Sequence, residues 1–201
     1  MKSKYLLALL LVTLAGCSGF RSREPAAQTY LLALVPGSAA PAAPASATLA
    51  VMLPRAAPGL DSDRIALQTA DGRASYYSAS RWTADLPVVL QTLLIDSLRQ
   101  RGGWRAVLAE GAPFGADLLL QIEVRHFEAE YTGSAAPNAH VLLEATLGQR
   151  GSRAIVRTVR AESRIPATAD RMSAVVAAFN AALNDALSQL QNALAAPAPG
   201  G

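Results

Sequence analysis

Hydrophobic residues along this chain change period several times, and each change marks an element. Leu49, Val51 and Leu53 alternate with small residues and predict a strand that Pro54 stops. Tyr30 to Val35, a compact apolar run ended by Pro36-Gly37, predicts an earlier one. Arg64 to Thr69 and Arg73 to Tyr77 flank Ala70-Asp71-Gly72, and Asp-Gly is a favoured hairpin turn. Leu86, Val89, Leu90, Leu93, Leu94 and Leu98 then recur at helical spacing and give a broad apolar face. Thr83 is the N-cap expected for this helix. Pro87 falls in the first turn, where its missing N–H costs nothing, and Gly102-Gly103 ends the helix. Trp104 to Leu108 predicts a short strand after it.

Leu118, Leu120, Ile122 and Val124 alternate with polar or outward positions, as a one-sided strand requires. The apolar parity then flips to Phe127, Ala129 and Tyr131, which calls for a bulge or for a strand that outruns its sheet. Val141 to Leu147 and Ala154 to Glu162 follow after short turns, so these strands predict an antiparallel meander. From about Asp170 to Leu194, Met172, Val175, Val176, Phe179, Leu183, Leu187, Leu190 and Leu194 form one helical stripe. The opposite face carries Asn180, Asn184, Asp185, Ser188, Gln191 and Asn192, polar but nearly uncharged. An ordinary wetted surface and an inter-subunit contact both fit it. The whole pattern predicts an α/β domain of the α+β type: a mainly antiparallel mixed sheet with two principal helices packed on one face.

The two ends read differently. Lys2 and Lys4 precede a ten-residue apolar run, Tyr5 to Leu14, interrupted only by Thr13. A membrane-spanning helix needs roughly 20 residues, so this run has the length of a secretory leader instead. Leu14-Ala15-Gly16-Cys17 follows and resembles a bacterial lipobox. The resemblance implies cleavage before Cys17, a diacylglycerol on its thiol and an N-acyl chain on its new amine. Several chains at about 0.8 kcal/mol per buried CH2 would anchor a domain durably. An ordinary signal peptide with a chance cysteine, or an uncleaved helix, are the alternatives. Ser18 rather than Asp after the cysteine points to the outer membrane under the sorting rule for such lipoproteins. The expected organisation is therefore a leader over 1–16, a lipidated tether over 17–29 and a domain over 30–194. Residues 36–47 form an Ala/Pro-rich linker within that domain, and 195–201 a flexible tail.

Composition narrows the chemistry. With 201 residues, 51% of them apolar, the chain can build a core and is not disordered as a whole. A net charge of +3 is too small for a nucleic-acid binder. One cysteine permits neither an internal disulfide nor a thiolate zinc site. Nucleophile elbow, P-loop, His-Glu-x-x-His and dinucleotide fingerprints are all missing. His126 lies near Glu123 and Glu128, and His140 opens the next predicted strand, so a hairpin would bring the two histidines together. A lone histidine pair predicts a structural or surface role, with no catalytic residues, no metal site and no cofactor beyond the acyl groups on Cys17.

One cluster stands out in an aromatic-poor chain: Tyr76, Tyr77, Arg81 and Trp82, with the Asp61 to Arg64 loop beside it. Trp, Tyr and Arg dominate interface hot spots, which makes Asp61, Arg64, Tyr76, Tyr77, Arg81 and Trp82 the candidate partner-binding residues. The competing reading puts Trp82 in the core under Leu86.

The ordered succession of short motifs carries a family resemblance. It runs from the lipobox through Tyr30-Leu31-Leu32, Val51-Met52-Leu53-Pro54 and Leu60-Asp61-Ser62-Asp63-Arg64-Ile65. Arg81-Trp82-Thr83-Ala84-Asp85-Leu86, Ala116-Asp117-Leu118 and Val124-Arg125-His126-Phe127-Glu128 continue it. Together they resemble the ABC-type transport auxiliary lipoproteins over about Tyr30 to Leu194. Ser62 interrupts an expected Leu-Asp-Arg run, and the 36–47 linker is longer than expected. The resemblance implies a non-enzymatic, outer-membrane-anchored lipoprotein facing the periplasm. Its partners would be an ABC transporter complex and an MCE-domain protein that move phospholipids or other hydrophobic molecules between the membranes, with a homo-oligomer as a further assembly. The alternative is a lipoprotein cofactor of a cell-wall synthase or of an outer-membrane assembly machine. A hydrolase is disfavoured, since no triad can be assembled.

Overall fold

In the computed structural model, residues 26–35, 46–133 and 135–195 are described. Cys17, the leader, most of the tether, most of the 36–47 linker and all but the first residue of the tail lie outside them. In chain order the strands are β1 (Gln28–Tyr30), β2 (Thr48–Val51), β3 (Arg55–Ala56), β4 (Arg64–Gln68), β5 (Ala74–Trp82), β6 (Ala106–Ala109), β7 (Leu118–Glu130), β8 (Asn138–Gln149) and β9 (Ile155–Pro166). Helix α1 (Leu86–Arg101) follows β5, and α2 (Met172–Ala195) follows β9.

The thirteen residues of β7 make it the spine of a nine-stranded sheet. Along one edge β2, β3 and β4 pair with it in succession, all parallel. Beyond them β6 pairs with β2, and β5 then β1 extend the sheet from β4. Along the other edge β8 and β9 run antiparallel as the expected meander. The parallel ladders are short, and the long β7–β8–β9 ladders give the sheet its mainly antiparallel character.

The parity flip in the sequence is a β-bulge between Val124 and His126. Leu120, Ile122 and Val124 are buried before it, and Phe127 and Ala129 after it. Both helices lie on this face, and one core runs beneath them. At its centre the Phe127 and Phe179 rings stack with centroids 5.1 Å apart. Trp82 meets both edge-on, at 5.9 Å from Phe127 and 5.4 Å from Phe179. These contacts join β5, β7 and α2.

Two boundaries differ from expectation. Helix α1 starts after Asp85, not Thr83, because β5 continues to Trp82 and residues 83–85 make the turn. The Leu86 amide then donates to the Ser62 carbonyl at 3.1 Å. The predicted strand over Tyr30 to Val35 is also displaced: strand pairing ends at Tyr30. Residues 31–35 run on beside α2, with Leu32 in the core. There the Ala33 and Val35 amides donate to Oδ1 of Asn180 and Asn184, each at 2.8 Å, and Asn184 Nδ2 donates back to the Ala33 carbonyl at 2.9 Å. Farther along, Gln191 bonds Ser97, and Arg101 donates to Asn192 at 2.8 Å. The uncharged polar face of α2 is therefore largely an internal seam.

Leu187 is buried on the stripe of α2. Leu187→Asp is expected to cost several kcal/mol, roughly the burden of an unpaired buried charge, and to lower the urea midpoint sharply.

Candidate functional site

The bulge that turns Phe127 inward turns His126, Glu128 and Glu130 to the face away from the helices. Strand periodicity places these three, at i, i+2 and i+4, in one row. His140 on β8 lies directly opposite Glu128. On β9, Arg164 faces His140, and Arg160 faces Glu144. A belt of histidines, carboxylates and guanidinium groups thus crosses three adjacent strands.

The sequence expectation that the two histidines approach each other holds: their rings stack with centroids 4.3 Å apart. His126 Nδ1 lies 2.5 Å from Glu128 Oε1, and His140 Nδ1 lies 2.7 Å from Glu130 Oε1. The other nitrogen of His140, Nε2, faces Glu162 Oε1 at 3.0 Å. His140 is only 1% exposed, so these carboxylates replace its solvent. Glu162 also accepts from Arg160 at 2.8 Å and from Arg164 at 2.5 Å. The Arg160 hydrogen bond is the largest influence on its carboxyl, with His140 and Arg164 adding to it against partial desolvation. Together they hold it down at about 2. Farther along the belt, Arg125 bridges Glu123 at 2.9 Å and Glu144 at 2.8 Å.

His126 and Glu128 also line an open groove of about 290 Å³. Its opposite wall is the 57–60 loop with Tyr76 of β5. Gly59 shapes that wall: its φ is +88°, and an added Cβ would stand 3.0 Å from the Tyr76 hydroxyl. The hydroxyl donates to the Gly59 carbonyl at 3.1 Å, and the Arg64 guanidinium covers the Tyr76 ring at 3.6 Å.

The six candidate partner-binding residues separate on this structure. Trp82 is 2% exposed and belongs to the core, so it cannot present a surface; this corrects the hot-spot reading. The Tyr77 hydroxyl is also turned to internal use. It bonds the Tyr131 hydroxyl at 3.0 Å, which donates to Asp170 at 2.7 Å, and burial pushes the Tyr77 phenol well up. Asp61, Arg64 and Arg81 are exposed, and Tyr76 is half-buried at the groove. Arg81 pairs with Asp63 at 2.8 Å.

A family profile for the ABC-type transport auxiliary lipoprotein component matches residues 30–191. The chain belongs to this family. A crystal structure from Xanthomonas campestris, of the DUF330 family, is similar at 26% identity with a TM-score of 0.74, over 84% of this chain and 96% of that one. An uncharacterized protein shares the fold at 17% identity and a TM-score of 0.66, over 85% and 99% of the two chains. No curated protein matches significantly. The family is one of auxiliary lipoprotein components of ABC-type transport.

Removing the Trp82 ring leaves a hole beside the Phe127–Phe179 stack. Trp82→Ala is expected to lose about 3–5 kcal/mol in chemical denaturation. The depressed Glu162 carboxyl makes a second expectation. The stability it contributes is present above the ordinary glutamate value of 4.5 and is lost as pH falls from there toward about 2. Urea midpoints measured across that range should fall less steeply in Arg160→Gln than in the parent.

Proposed function

We propose that this auxiliary lipoprotein is anchored in the outer membrane through acylated Cys17, faces the periplasm and docks an MCE-domain protein working with an ABC transporter. In that role it helps pass phospholipids or other hydrophobic molecules between the inner and outer membranes. The family match over 30–191 carries the reading, and Leu14-Ala15-Gly16-Cys17 supplies the means of anchoring. A single acyl chain binds a membrane only marginally, whereas two or more hold it stably. The docking surface in this reading comprises Asp61, Arg64, Tyr76 and Arg81, of which Tyr76, capped by Arg64, borders the groove.

Fractionation and capture in one strain test both parts. Cys17→Ala is expected to leave the membrane fraction while keeping the parent's melting temperature. The double variant Tyr76→Ala/Arg81→Ala is expected to stay at the membrane and lose about tenfold or more of its MCE-protein capture, since hot-spot Tyr and Arg side chains carry about 1–2 kcal/mol or more each. Undiminished capture by the folded double variant would remove this surface.

A further inference from the structure

The belt on the open face of the sheet holds a feature that docking does not use. We propose that His126, Glu128, Glu130 and His140 bind one divalent transition-metal cation of the zinc class, through Nδ1 of both imidazoles and one oxygen of each carboxylate. Their ligand atoms all lie within 4.8 Å of one another. Ligands about 2.0–2.2 Å from a tetrahedral zinc sit roughly 3.5 Å apart, so modest side-chain shifts close the shell.

A second observation is independent of that proximity. The remaining polar atom on each of three of the ligands is held by a separate partner, which leaves the cluster atoms aimed inward. His140 turns Nε2 to Glu162 at 3.0 Å. Glu130 Oε2 accepts from Arg164 Nε at 3.3 Å, and Glu128 Oε2 accepts from the Phe127 amide at 2.6 Å. A metal-binding histidine whose other nitrogen meets a carboxylate, beside ligating carboxylates that are themselves hydrogen-bonded, is the usual outer shell of a zinc site.

Charge points the same way. The linked belt contains Glu123, Glu128, Glu130, Glu144 and Glu162 against Arg125, Arg160 and Arg164. With neutral imidazoles it carries two surplus negative charges, which a divalent cation offsets. The Arg164 guanidinium, 3.4 Å from His140 Nδ1, is the opposing positive group, and its pairing with Glu162 offsets it. Donor type selects the ion. Two imidazoles with two carboxylates suit zinc and its neighbours, whereas calcium and magnesium prefer all-oxygen shells. His126 is 43% exposed at its side chain and lines the groove, which gives the ion a route in.

Titrating zinc chloride into the chelator-treated full chain in detergent micelles tests this by calorimetry. The expected result is one equivalent bound with a dissociation constant of about 1 µM or tighter. The melting temperature should rise by several degrees, and EDTA should reverse the rise. Cobalt(II) in place of zinc should show the intense visible bands of tetrahedral coordination. Half-exposed His126 makes His126→Ala the cleanest variant, and Glu130→Gln is the second. Each should melt like the parent without metal and bind zinc at least about tenfold more weakly, a loss that even an outer-shell change produces. No saturable uptake, or uptake undiminished in both folded variants, would overturn the site and leave the cluster as a hydrogen-bonded proton-sharing network. The proposal stands apart from the docking reading: a failed capture assay leaves it untouched, and the reverse also holds.

Discussion

Everything on both faces of the sheet depends on the bulge between Val124 and His126 in β7. A regular strand keeps one parity, so Val124, His126, Glu128 and Glu130 would share a face. The core beneath the helices would then receive an imidazole and two carboxylates, and Phe127 would point to water. One extra residue reverses this. Phe127 reaches Phe179 and Trp82, while the charged row reaches His140, whose Nε2 in turn meets Glu162. The apolar core and the polar belt are two sides of a single backbone irregularity. The same strand aligns β2 and β3 before the bulge and β4 after it.

Much of this was legible because the physics was local. The Asp71-Gly72 hairpin, the Gly102 helix stop and the stripe of α2 depend on neighbours within a few residues, and all occur where expected. The parity flip was visible too, although only the register shows that it is a bulge and not a strand outrunning its sheet. The meeting of His126 and His140 was readable as a hairpin contact. Glu130 and Glu162 were not, because their approach requires the bulge and the β8–β9 register together. The spacing His126-x-Glu128-x-Glu130 was the available signal.

Trp82 shows where composition alone misleads. Tryptophan, tyrosine and arginine crowd together both at interfaces and at the edges of cores, so sequence density cannot separate the two. The structure separates them residue by residue: Trp82 lies among phenylalanines, the Tyr77 hydroxyl joins a tyrosine–aspartate chain, and Arg64 and Arg81 remain outside. The polar face of α2 poses the opposite problem. Asparagine carries an amide like that of the backbone, with one acceptor and one donor group. Asn184 therefore serves residues 33 and 35 much as a neighbouring strand would. A face that read as ordinary wetted surface or as a contact between subunits is, at Asn180 and Asn184, a seam with the chain's own leading segment.

That seam has a mechanical meaning. The chain enters the fold at β1, which lies parallel to β5 at Ser80 to Trp82, and then runs past Asn180 and Asn184. Tension applied upstream and directed along β1 loads its hydrogen bonds in shear, together rather than one at a time. If β1 yields, the asparagine contacts and Leu32 take the load next, before the central sheet is reached. The leading segment can thus act as a strain relief: it can give way under a pull while the groove and the charged belt, on the opposite face, keep their shape.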